Sequence, residues 1–384
     1  MNPNYYTLSE GILTIHEGVK KIPLNGFKNR EDITKVIFPV SLFVIGKDAF
    51  YGCINLQEIE TKPKLKVIEQ GAFQNCFKLR FFEIPKNVYK IGKSAFNCCY
   101  RLESPIIIPR KIKEIEESVF FNCKEIPSIT LPSKLVKIGN LAFFGCGNIS
   151  SFSLPETVTH IDKFAFCHCT KIREIVLPLN VEIIGESVFS SCTNLQRIRI
   201  PPKVDLIEKS LFHNCEKLEE ILFAGPIWKI RYCAFTGCKM LRNITFPEGL
   251  VKISKYAFSW CIRLTEITFP QSLLQICAYA FSNCRNLEIV NYPFENSIDR
   301  TEKSFYQCEK LIIRKKFVEK IYQDLTAEEK IFGEENCAIS GEKFEEKMPI
   351  IFLHCKHFFK KEESLLEWIK NKNICPLCKT NIGF

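Results

Sequence analysis

A phenylalanine followed three residues later by a cysteine recurs through most of this chain at a nearly constant interval. The cysteines are Cys53, Cys76, Cys99, Cys123, Cys146, Cys169, Cys192, Cys215, Cys238, Cys261, Cys284 and Cys308, spaced by 23 residues apart from two intervals of 24. Phenylalanines run in step from Phe50 to Phe305, and Leu or Ile follows each cysteine by three positions, from Leu56 to Leu311. The unit reads A-F-x-x-C-x-x-L-x-x-I-x-L-P-x-x-V-x-x-I-G. A further copy precedes the column, with Phe27 in place and Arg30 in the thiol position, giving thirteen units. A charged terminal copy is what an end cap needs.

Such a unit cannot fold alone. About seven apolar side chains contribute roughly 1.5–3 kcal/mol each, whereas ordering 23 residues costs about 1.5 kcal/mol apiece, roughly 35 in all. Stacking on both neighbours supplies the missing burial, so the repeat predicts a solenoid. The stretch from Ile172 to Pro178 alternates enough for a short strand. Parallel strands stacked about 4.8 Å apart would form one curved sheet roughly 60 Å long. The column cysteines read as small, buried apolar residues. Cys167, His168 and Cys169 form a C-H-C cluster, but adjacent residues of an extended chain point apart, and packing is the stronger reading there too.

The repeat, quoted as LPETVTHIDKFAFCHCTKIREIVLP, resembles the BspA-like branch of leucine-rich repeats over residues ~10–315. The resemblance implies an α/β-type leucine-rich repeat solenoid over residues 1–314. Its parallel sheet would line the concave face, with short irregular or helical segments on the convex side. Relatives in that branch look like surface adhesins, and the concave face is where such solenoids bind protein. Positions five and seven after each cysteine would face outward there, among them Glu174, Arg197, Arg199 and Glu220. The Glu174, Arg197 and Glu220 rungs can also simply pair with one another.

Beyond Cys308 the pattern stops. Residues 315–335 read as a capping helix and a Glu-rich linker, leaving 336–384 as a separate module too short for a self-sufficient core. Its staple is visible: Cys355-Lys356-His357, then, after seventeen intervening residues, Cys375-Pro376-Leu377-Cys378. Two close pairs of N/S donors are what one tetrahedral Zn²⁺ takes, and such a site contributes roughly 10–16 kcal/mol of folding free energy.

The stretch FLHCKHFFKKEESLLEWIKNKNICPLCK, with Cys337-Ala338-Ile339-Ser340 upstream, resembles a RING finger, a small zinc-stabilised α+β module. In that alignment Cys355, His357, Cys375 and Cys378 complete one zinc site. At the other, only Cys337 keeps a ligand type, and Ser340, Lys360 and Glu363 stand where Cys or His is expected. Hydroxyl, cation and carboxylate suit cross-linking by hydrogen bonds, as in a U-box, and the one-zinc set also resembles the SP-RING of SUMO ligases. The resemblance implies recruitment of a ubiquitin-conjugating enzyme and transfer without a covalent intermediate. Ile339, Trp368 and Pro376 match its docking groove, and Lys379 the cationic position that bridges enzyme and ubiquitin; Ile339 and Trp368 alternatively pack the mini-core.

Composition bounds the rest. Hydrophobic residues at 46% and charged residues at 25% suit a soluble globular protein. No apolar run approaches the ~18 residues a membrane span needs, and the first residues carry neither the basic start nor the apolar core of a leader. An intracellular, cytoplasmic protein is therefore expected, with its 20 cysteines reduced. The net charge of +10 is too dilute to identify a nucleic-acid binder. The reading is thus a ubiquitin ligase-like protein whose solenoid binds a protein substrate. The alternatives are a non-enzymatic adaptor with a degenerate RING, a SUMO ligase-like protein and, last, a surface adhesin.

Overall fold

Three segments of each repeat stack on their counterparts one turn away, and the computed structural model describes them over residues 2–60, 64–151, 153–292, 299–300, 302–315, 318–321, 349–352 and 358–360. The first is the expected strand after each cysteine. Lys35–Ile37 pairs with Glu58–Glu60, Ile106–Ile107 with Ile129–Thr130, and Arg197–Ile200 with Glu220–Phe223, all parallel. Near the far end Ile289–Tyr292 lies between Glu266–Thr268 and Ile312–Lys315. Single bridges at Glu58–Phe81, Glu174–Arg197 and Thr245–Thr268 extend this ladder. Alternation does the sorting: Ile198 and Ile221 are buried while Arg197, Arg199 and Glu220 are exposed.

The second ladder was not foreseen. The x-I pair of each V-x-x-I-G motif forms its own two-residue strand, as in Lys21–Ile22, Val44–Ile45, Val67–Ile68 and Lys90–Ile91, paired in parallel. A four-strand run from Glu114–Ile115 to Ile183–Ile184 and a five-strand run from Leu206–Ile207 to Asp299–Arg300 continue it. In the pairs from Lys21–Ile22 to Gln275–Ile276 the isoleucine in the second position faces the core, so two residues suffice to set the register.

The third segment carries A-F-x-x-C and is built of turns. Two residues per turn, five before and one before each cysteine from Cys53 to Cys284, lie in the left-handed region: Asp48 and Gly52, Ser118 and Asn122, Phe164 and His168, Tyr256 and Trp260. These conformations break any helix, and they turn backbone N–H groups toward the next repeat. Asp48 donates to the Gln70 carbonyl at 2.9 Å, Phe50 to Ala72 at 2.8 Å and Gly52 to Gln74 at 2.9 Å, a pattern repeated along the chain. Side chains there cost roughly 1 kcal/mol each by conformation, offset by the ladder they align. Among the described residues the only helices are single 3₁₀ turns at Pro3–Tyr5 and Glu302–Phe305, so of the irregular or helical segments expected on this side nearly all described ones are irregular.

Inside, phenylalanines from Phe27 to Phe305 form one stack, with neighbouring centroids 4.9–6.0 Å apart and rings within 17° of parallel. The stack opens on Tyr6, edge-on to Phe27. Tyr6–Ser9 and Ile12–Ile15 form an antiparallel hairpin whose inner strand leads into the first ladder. Its turn, Glu10-Gly11, has positive φ at both residues, the two-residue geometry that suits twisted hairpin strands. Gly11 is required twice over, since a Cβ would stand 2.6 Å from Thr34 Oγ1. Arg30, in the thiol position of the first unit, is held by Asp32 at 2.7 Å, so the cap replaces a buried thiol with a surface ion pair.

One expectation at the other end is corrected. Within the segment read as a capping helix, 315–335, Val318–Ile321 is a strand pairing antiparallel with Pro349–Phe352, which pairs in turn with Phe358–Lys360. The apolar residues Val318 and Ile321 are both β-branched, which suits a strand although their i, i+3 spacing does not alternate. The remainder of 316–348 lies outside the described residues.

Candidate functional site

The column cysteines are structural. Each thiol donates to the carbonyl of the preceding turn's phenylalanine, from Cys53 to Phe27 at 3.1 Å through Cys169 to Phe143 at 3.2 Å to Cys308 to Phe281 at 3.1 Å. That carbonyl already accepts the N–H three residues on in its own turn (Arg30 for Phe27, the cysteine thereafter), so the sulfur serves a second lone pair that a methyl group would leave empty. Burial raises the eleven thiols from Cys53 to Cys284, and Cys53 is pushed up to about 12, whereas the hydrogen bond with Cys284 lowers Cys308. The eleven are held protonated, the wrong state for metal binding.

The C-H-C cluster separates as expected, but in a left-handed turn rather than an extended chain. Cys169 points into the core, while His168 occupies the left-handed position and lies edge-on to Phe144 at 5.2 Å. Cys167 is buried beside Ser190, and burial pushes it up to about 11. Among the described residues no three His, Cys, Asp or Glu converge as a metal site.

On the outward face of the first ladder, Arg197 Nε lies 3.6 Å from Glu220 Oε2, and Glu174 sits opposite Arg197 in register. Arg199 faces Leu222 in register. Of this row, Arg197 and Glu220 pair with each other. Apolar side chains interrupt the face: Val176 is 78% exposed, Ile107 64%, Leu222 52% and Phe81 50%.

A cleft of about 960 Å³ opens on this face where the ladder fails, and sequence reasoning missed it. The signal was the 24-residue interval from Cys99 to Cys123, which places one extra residue at Ser104-Pro105. Pro105 has no N–H to give a ladder. Ser104 takes over locally, its Oγ lying 3.4 Å from the Phe82 N–H that donates to it and 3.3 Å from the Phe82 carbonyl. The turn at Phe81 therefore makes no strand pair with Ile106–Ile107, which pairs only with Ile129–Thr130 among the described strands. Phe81 stays exposed with the Arg80 guanidinium 5.4 Å from its ring centroid.

Of the C-terminal residues singled out by sequence, Lys360 ends the strand Phe358–Lys360, its backbone paired with Ile350. The zinc donors Cys355, His357, Cys375 and Cys378 lie outside the described residues, as do Cys337, Ile339, Ser340, Glu363, Trp368, Pro376 and Lys379. Among the described residues no helix is long and apolar enough to cross a membrane.

Comparison with known proteins bears on both parts. The family model of the BspA type leucine rich repeat region matches in six copies over residues 5–124, 90–219 and 205–326. The Ring finger domain model matches residues 335–379. Among solved structures, the chain is similar to a leucine-rich repeat protein from Bacteroides ovatus, with 22% identity and a TM-score of 0.65 over 80% of this chain and 92% of that one. It is also similar to a leucine rich cell surface protein from Faecalibacterium prausnitzii, with 27% identity and a TM-score of 0.52 over 75% and 92%. No curated protein matches the chain.

Proposed function

We propose, for a chain that belongs to the BspA-type leucine-rich repeat family and carries a RING finger domain at residues 335–379, a ubiquitin ligase-like role. The solenoid holds a protein substrate while the RING finger recruits a ubiquitin-conjugating enzyme. The observation that carries this is the union in one chain of a long partner-binding array with a RING match that contains a full set of zinc donors.

Three thiolates and one imidazole fit a single tetrahedral Zn²⁺. In this reading Cys355, His357, Cys375 and Cys378 hold it, and the bound ion supplies the cross-link that folds so short a module. Ile339, Trp368 and Pro376 form the apolar seat for the conjugating enzyme. Lys379 reaches the enzyme–ubiquitin junction as a cation, with fewer donors than arginine offers in a fixed fork. No residue of this chain carries ubiquitin as a covalent catalytic intermediate. A reducing intracellular compartment, the cytoplasm, suits the reading, because the cysteines of the described residues are all free thiols.

The test is self-ubiquitination by the purified full chain with a panel of conjugating enzymes. Zinc-dependent ladders that Cys375→Ser abolishes and Trp368→Ala sharply weakens are the expected result. A second reading, a non-enzymatic adaptor, is favoured by Ser340, Lys360 and Glu363 standing where a second zinc would need ligands. It takes over if no ladder forms while zinc stays near one per chain, with SUMO transfer then tested by exchanging the conjugating enzyme.

A further inference from the structure

The cleft at Ser104-Pro105 differs from the rest of the outward face in three ways that point to one kind of occupant. First, it has an open strand edge. Ile106 and Ile108 donate to Ser128 and Thr130, each at 3.0 Å, so the N–H and C=O of Ile107 point the other way, toward the cleft. An edge of this kind accepts an extended chain through main-chain hydrogen bonds. Second, the cleft has an apolar floor. Phe81 and Ile107 are half or more exposed, where two of the following turns present Ser128, Thr130, Ser151 and Ser153.

Third, its free charges are of one sign. Lys86, Arg110 and Lys111 line the cleft exposed, and among the described residues no ion pair holds them. The acids nearby are already engaged: Glu58 with Lys35 at 3.2 Å and Glu103 with Arg80 at 2.8 Å, while Glu83 also has a partner. A bound segment therefore meets uncommitted cations and few uncommitted anions.

We propose that this cleft is the docking groove for an extended acidic segment of a partner protein, which rests a large apolar side chain on Phe81 and Ile107 and sets its carboxylates against Lys86, Arg110 and Lys111. This deepens the substrate-holding role of the solenoid and rests on that reading. It places recognition at a defect in the repeat, where one inserted residue opens the ladder, and away from the Arg197–Glu220 pair.

The probe is a fluorescein-labelled octapeptide, Glu-Phe-Asp-Ile-Glu-Leu-Asp-Glu, titrated against the full chain by anisotropy. Saturable binding that weakens with salt is expected. The same peptide with lysine for every acid should not bind. Two variants locate the site: Arg110→Glu with Lys111→Glu, and deletion of Ser104, which restores the 23-residue interval and closes the gap. Each should weaken binding about tenfold or more. Melting checks that both are folded, and the surface double variant carries the test if the deletion does not fold.

No saturable binding, equal binding to the double variant, or equal binding by the lysine peptide overturns the proposal. So does tighter, variant-sensitive binding of a single-stranded RNA octamer, which would assign the cations to phosphate. Self-ubiquitination by the same variants is read alongside. Ladders without peptide binding sink the groove and leave the ligase standing; binding without ladders does the reverse.

Discussion

Eleven column thiols, from Cys53 to Cys284, are pushed above the ordinary thiol range, and burial is the largest cause for each. An unfolded cysteine titrates near pH 8.5. As the solution turns alkaline, the unfolded chain loses these protons first and the folded chain keeps them. Stability contributed by the column is thus intact below about pH 8.5 and is lost as pH climbs from there toward the raised folded values. Each thiol approaches a loss of ~1.4 kcal/mol per pH unit, and the column multiplies it. Denaturant midpoints should hold steady from about pH 7 to 8 and fall steeply from about 9 to 10.5. Cys146→Ala removes the 3.1 Å bond to the Phe120 carbonyl and a buried sulfur, costing about 1–2 kcal/mol at neutral pH. It should also make the alkaline slope shallower. An unchanged slope would show that the thiols are not its source.

At the scale of the repeat element, the phenylalanine stack has the sharpest consequence. Phe166 is buried between Phe143 at 5.5 Å and Phe189 at 6.0 Å, with nothing mobile to fill its place. Phe166→Ala should cost about 3–5 kcal/mol, and Phe166→Leu less, because it keeps most of the volume. Since each turn touches only its neighbours, hydrogen exchange should quicken mainly in the turns of Phe143, Phe166 and Phe189. Exchange raised uniformly along the chain would contradict that locality. The stack and the thiol column were legible in the sequence because a strict period forces one residue type into one environment. The second ladder was not, since two residues such as Lys137-Ile138 are too short to display alternation. Val318–Ile321 was read as part of a helix because its two apolar residues are three apart, the helical spacing, and the strand it forms depends on its pairing with Pro349–Phe352. The Ser104-Pro105 cleft was visible only as a one-residue irregularity, whose effect depends on where Pro105 meets the neighbouring turn.

At the scale of the whole molecule, two stabilisation schemes share one chain. The solenoid rests on burial repeated turn after turn, with thiols committed to carbonyls and held protonated. In the proposed reading the C-terminal module, too short for that, depends on donors that must be deprotonated to bind Zn²⁺. The C-x-H and C-x-x-C donor pairs proposed to hold it stand out because each pair is local in sequence, whereas the Arg197–Glu220 pairing followed from counting strand positions. These schemes predict independent responses to metal removal. Dialysis of the full chain against a strong chelator should strip about one zinc per chain and abolish any self-ubiquitination. The main β-sheet melting transition, followed by circular dichroism, should keep its midpoint within about 2 °C. The column thiols cannot compensate or compete, because releasing a proton from the core costs more than a transient ligand contact returns. A fall in the main transition of more than about 5 °C on chelation would mean instead that the solenoid itself depends on the metal.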